Sequence, residues 1–148
     1  MNDKGTNSYQ ERNSNINIAE VRFEKFCKDK QIPFWRLGFD EKENRLPNFW
    51  EVHPLIRAMP DYICYNNNRL TYMHVKGTHR VKINDLILYE TWDRDLALRA
   101  GMRIVFCFDN QDPIFLTWDQ LKQKLTGCTI KEWPNDKKQF VEINFEKE

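Results

Sequence analysis

The chain has 148 residues, with 23 Lys and Arg against 22 Asp and Glu for a net charge of +1, so overall charge selects neither a polyanionic nor a polycationic partner. Hydrophobic residues make up 41% and aromatics 14%, enough to build one buried core, which excludes disorder of the chain as a whole. No apolar run approaches the roughly 20 residues a bilayer requires, and Met1 to Ser8 lacks the apolar stretch of a secretory signal, so a soluble, intracellular, cytoplasmic protein is expected.

Residues 1–14 are polar and carry no apolar period, which predicts a flexible N-terminal arm ahead of a single domain over residues 15–148. From Asn17 to Gln31, Ile18, Val21, Phe23, Phe26 and Cys27 recur at helical steps. Asn17 would cap this first helix with Glu20 as its capping-box partner, and Pro33 would close it. Residues 39–59 keep neither the helical nor the strand period and predict a long irregular excursion. Asp61 to Tyr65 and Arg69 to Lys76 are aromatic and β-branched runs flanking Asn66-Asn67-Asn68. Asparagine tolerates the positive φ of tight turns, so this segment predicts a hairpin.

After Gly77-Thr78 and the basic run His79-Arg80-Val81-Lys82, a second helix is predicted from Asn84 to Ala100, with Leu86, Tyr89, Trp92, Leu96 and Ala100 on one face and Gly101 as C-cap. Ile104 to Phe108 is continuously apolar, as a strand covered on both faces should be. Ile114 to Leu116 predicts a short strand, Thr117 can cap a helix through Leu125, and Gln139 to Phe145 alternates like an edge strand. Interleaved helices and strands argue for an α/β fold around a mixed sheet. Cys27, Cys64, Cys107 and Cys128 are scattered without zinc-site spacing and are expected as reduced, mostly buried thiols.

The hairpin brings chemistry together. With the turn centred near Asn67, Asp61 lies within one rung of His74 on the opposite strand. His74 and Lys76 project from one face of their strand and Val75 from the other. A carboxylate, an imidazole and an ammonium converging on one patch can bind a divalent cation while the lysine steadies an attacking water or a developing phosphoryl charge.

Met59-Pro60-Asp61, the hairpin, and His74-Val75-Lys76-Gly77-Thr78 resemble the PD-(D/E)xK nuclease superfamily, which includes restriction endonucleases and archaeal Holliday-junction resolvases. The resemblance extends from about Asn17 to Leu125. It implies a restriction-endonuclease-like αβββαβ core, a mixed central sheet flanked by helices, and metal-dependent hydrolysis of nucleic-acid phosphodiesters, DNA more than RNA. It also implies a divalent metal, Mg²⁺ or Mn²⁺, and a possible homodimer. Carried over position by position, Asp61 matches the central metal ligand, Lys76 the lysine, and Glu20, or else Glu24, the first-helix acid; Glu90 is the candidate polar residue on the helix after the lysine.

His74 departs from the pattern by standing where the superfamily has Asp or Glu. The catalytic set is therefore Asp61, His74, Lys76 and Glu20, with Asp61, His74 and Glu20 holding the metal. Imidazole suits Mn²⁺ and later metals better than Mg²⁺, so the change implies Mn²⁺ dependence, compensation by Glu20 or Glu51, or loss of chemistry. Arg80, Lys82, Arg94 and Arg99 are the candidate phosphate contacts. His53 and His79 read as structural or solvated, and Pro47-Asn48-Phe49-Trp50 as a loop anchor with base stacking as the rival role. The rival to catalysis as a whole is a degenerate nuclease-fold module that binds nucleic acid or protein.

Overall fold

In the computed structural model, residues 18–37, 59–96, 101–134 and 138–145 are described. The N-terminal arm, the Asn17 cap, Phe49 and Trp50, Glu51, His53 and Arg99 lie outside them. Residues 18–29 form α1. It ends as Gln31 enters the left-handed region with φ of 59°, two residues before Pro33. There follow β1 (Phe34–Arg36), β2 (Tyr62–Asn66), β3 (Arg69–Lys76), β4 (Arg80–Lys82), α2 (Ile83–Leu96), β5 (Gly101–Phe106), β6 (Ile114–Leu116), α3 (Trp118–Leu125), β7 (Ile130–Glu132) and β8 (Gln139–Glu142).

Five strands form the central sheet in the order β1-β2-β3-β5-β6, with β3 and β5 parallel and the other neighbours antiparallel. The fold is thus α/β with a mixed central sheet flanked by helices. Its α1-β1-β2-β3-α2-β5 succession is the αβββαβ order expected, and β1 supplies the strand that sequence periodicity did not reveal. Asn67 and Asn68 sit at φ of 54° and 63°, the two left-handed positions of a two-residue hairpin turn. The register Tyr62↔Met73 through Asn66↔Arg69 follows from that turn.

Strand alternation divides the interior in two. Met73, Val75, Val105 and Cys107 face α1 and pack with Ala19, Phe23, Cys27 and Tyr62. Ile104 and Phe106 face the other way and pack with Tyr89, Trp118, Leu121, Val81 and Val141. The apolar run at 104–107 is therefore buried on both sides, as its composition predicted. Leu86, Trp92 and Leu96 join Tyr89 in that second core along one face of α2.

Two expectations, the edge strand from 139 and the Gly101 cap, need correcting, and the basic run gains a structure. Residues 139–142 are not an edge strand: β8 runs between β4 and β7 in a separate three-stranded sheet. The basic run at 80–82 is a strand, because Val81 is fully buried opposite Val141 and fixes its neighbours outward. Gly101 opens β5 opposite Thr71 instead of capping a helix. Cys27, Cys64 and Cys107 are buried free thiols and Cys128 is partly buried, as expected.

Candidate active site

Asp61 sits where β1, β2 and β3 meet. Its carbonyl accepts from Leu37 N at 2.7 Å and its amide donates to the Met73 carbonyl at 2.9 Å. Just past the regular ladder, its Oδ2 accepts the Val75 N–H at 2.8 Å, so the carboxylate is held across the last turn of the β3 ladder by backbone. Burial pushes the Asp61 carboxyl up to about 6, against the Val75 hydrogen bond and the charges of Lys76 and Arg36, with Asp85 adding to the rise.

His74 and Lys76 share the face of β3 that looks toward α2. Lys76 Nζ lies 3.1 Å from Asp85 Oδ2 in the first turn of that helix, both side chains about a quarter exposed. Burial works against the ammonium form, yet the Tyr89 phenol, Asp85 and Asp61 outweigh it and hold the lysine above its usual range. His74 is 5% exposed, with its ring 4.7 Å from that of Tyr89. Burial and then the Lys76 charge push it down to about 3, against the pull of Asp85, so the imidazole is neutral at physiological pH. Its Nε2 has no hydrogen-bond partner among the described residues.

The remaining candidates fall elsewhere. Glu20 is on α1, across the sheet from the face that carries His74 and Lys76, and its Oε2 pairs with Arg36 at 3.0 Å. Arg36 in turn acts on Asp61, so Glu20 borders the site through that arginine. Glu24 accepts from the Tyr62 hydroxyl at 2.5 Å. Glu90 accepts from the Trp118 indole and lies 4.0 Å from Lys122, joining α2 to α3. Arg80 lies over the rings of Trp133 and Phe140, at 5.1 and 5.2 Å, which braces the second sheet. Arg94 is exposed and weakly paired with Asp95 at 3.9 Å, and Lys82 is exposed on β4. His79 stacks on Phe108 at 4.2 Å and 9°, a structural position.

Sequence reasoning missed Asp85 and Tyr89 as neighbours of Lys76. They are four apart on α2 and so share a helix face, whereas Glu90 is turned about 100° from Tyr89. The signal was present in that spacing, but an acid in a first helical turn also reads as a partner of the helix dipole, and Tyr89 reads as core.

Among the described residues, no three His, Cys, Asp or Glu side chains converge as a ready metal cage. The donor chemistry fits a different arrangement. Asp61 is a backbone-anchored carboxylate whose raised proton affinity shows that nearby positive charge does not fully offset its burial, and Asp85 is a second carboxylate beside the same lysine. Mg²⁺ and similar hard cations bind through one or two carboxylates and complete their shell with water and phosphate oxygens.

No family model matches the chain, and no curated protein matches it. Among solved structures, a Holliday junction resolvase of the archaeal hyperthermophile Archaeoglobus fulgidus aligns with a TM-score of 0.49 and 11% identity, over 85% of this chain and 87% of that one.

Proposed function

We propose that the protein is a divalent-metal-dependent nuclease that hydrolyses nucleic-acid phosphodiesters, DNA by the sequence resemblance, at Asp61, Lys76, Asp85 and His74. The observation that carries this reading is the Lys76 ammonium, held beside Asp85 at 3.1 Å and within the field of the backbone-anchored Asp61. Two carboxylates that act on one lysine are a means of placing a cation and a water on one phosphate. A bound Mg²⁺ or Mn²⁺ would polarise a phosphoryl oxygen and offset the charge that builds there.

Asp61 and Asp85 would hold that ion, with the neutral His74 Nε2 as a nitrogen donor and Glu20 outside the shell on Arg36 unless that ion pair opens. Lys76 keeps its proton, so it donates to the attacking water or to a phosphoryl oxygen and does not act as base. Asp85, its ion-pair partner, fixes the direction of that ammonium. Arg94 and Lys82 are exposed cations that can contact a phosphate backbone, Arg80 lies over aromatic rings, and two-fold pairing of chains would let such a site address both strands of a duplex.

The test is cleavage of single-stranded, duplex and branched DNA and of RNA, in Mg²⁺ and separately in Mn²⁺. Lys76→Ala, Asp61→Ala and Asp85→Asn should each lower the rate by on the order of 100-fold or more, in line with the loss of a preorganised charge. Cleavage that survives all three overturns the assignment.

The second reading, a degenerate module that binds without cutting, is favoured by one observation: His74 is packed under Tyr89 in the position of the usual acid. His74→Glu separates the two. Gain of cleavage in that variant supports a decayed site, and loss of cleavage supports His74 as a working ligand.

A further inference from the structure

On the α1 face of the central sheet, opposite the face that carries Lys76, a cavity of about 740 Å³ opens between α1, the β2–β3 turn and β5. Its size lies in the range of small-molecule sites, roughly 300–1,000 Å³. Two features of its wall are independent of each other. The first is aromatic: the rings of Phe26 and Phe115, both partly exposed, lie 5.7 Å apart at 48° and present an apolar surface.

The second feature is charge. Lys30, Arg69 and Arg103 line the cavity, and no acidic side chain among the described residues does. The two guanidinium groups flank one stretch of backbone: a Cβ at Gly101 would meet Arg103 Nη1 at 3.3 Å and Arg69 Nε at 3.9 Å. Arg103 Nη1 donates to the Met102 carbonyl at 2.9 Å, and among the described residues neither arginine lies within ion-pair distance of a carboxylate. Asp93 on α2 lies within the field of Arg103 but outside ion-pair distance. Two like charges brought together with no carboxylate paired to either favour an anion, and arginine forks match phosphate oxygens. The amides of Asn66 and Asn67 stand at the same wall and can both donate and accept.

We propose that this cavity binds a nucleotide unit, its base against Phe26 and Phe115 and its phosphate on Arg69 and Arg103. A flat apolar ring joined to a phosphate is the ligand that uses the aromatic surface, the amides and the paired cations at once. The unit can be a free nucleotide or the terminal nucleotide of a strand. The inference does not depend on phosphodiester cleavage at Asp61.

Calorimetric titration of the full chain in metal-free buffer tests it, with a 5′-nucleoside monophosphate, the matching nucleoside, inorganic phosphate and a 5′-phosphorylated single-stranded oligonucleotide. The monophosphate or the oligonucleotide should saturate one site per chain, and the tighter of the two names the source. The nucleoside and inorganic phosphate should each bind about tenfold more weakly or worse, since each lacks half of the contacts. Arg69→Gln, at an exposed position, and Arg69→Gln with Arg103→Gln should weaken the monophosphate by about tenfold and more, and Phe115→Leu should also weaken it, while Asp61→Ala should not. Unchanged affinity in the folded double variant, equal binding of inorganic phosphate, or loss of binding in Asp61→Ala overturns the proposal. None of these outcomes bears on whether Asp61 and Lys76 cut nucleic acid, because no cleavage is read.

Discussion

His74 is the residue at which burial and chemistry compete most openly. In the unfolded chain it titrates near 6.5, and in the fold burial and the Lys76 charge push it down to about 3. Between those values the unfolded chain takes up a proton that the folded chain refuses. The stability this histidine contributes is therefore complete above about pH 6.5 and is lost as the pH falls toward 3. Chemical denaturation of wild type and His74→Gln across that range should show the difference between them shrinking on acidification and constant above neutrality. A difference that does not change with pH contradicts the buried, neutral imidazole. The Asp61 and Lys76 partnership was legible from residue types and the hairpin register. The Asp85 contact was not, because it joins a strand to a helix nine residues on and depends on where α2 begins.

At the scale of elements, the Thr117 cap and the Asn hairpin turn were read correctly, while Gly101 opens a strand and does not cap a helix. Thr117 accepts from Gln120 N at 3.0 Å, and the Gln120 side chain returns the bond to Thr117 N at 2.9 Å, the reciprocal box that starts α3. Thr117→Ala should lower stability by about 1 kcal/mol, measured as a shift in denaturation midpoint, and should leave the Asp61 site untouched. The turn at Asn67 and Asn68 was equally visible, since two consecutive left-handed residues demand Asn or Gly. The strands that sequence reading missed, β1, β4 and β7, are three residues each and mix charged or polar residues with apolar ones, whereas the equally short β6 is wholly apolar and was legible. Their pairing with β2 and β8 makes them strands, and that pairing is tertiary.

At the scale of the molecule, the central sheet separates two surfaces: the α2 face with Lys76 and Asp85, and the α1 face with the cavity at Arg69 and Arg103. No helix among the described residues is long and apolar enough to cross a membrane. A cation that binds only the folded chain must raise its apparent stability, by about 2.7 kcal/mol at a concentration 100 times Kd. Thermal unfolding with Mn²⁺ or Mg²⁺ should thus shift upward for the wild-type chain and not for Asp61→Ala. An equal shift in both would place the ion somewhere other than Asp61.

The sequence by itself determined the hairpin, the doubly buried strand at 104–107, the Thr117 cap of α3 and the approach of Asp61 to the strand bearing His74 and Lys76. All of these follow from periodicity and from backbone conformations that neighbouring residues set. Only the tertiary structure decided that Glu20 would meet Arg36 while Asp85 met Lys76, and that Arg80 would lie against Trp133 and Phe140. Those outcomes turn on which face of the sheet each helix covers and on which strands pair across the chain. Packing sets both, and no local pattern of residues encodes either.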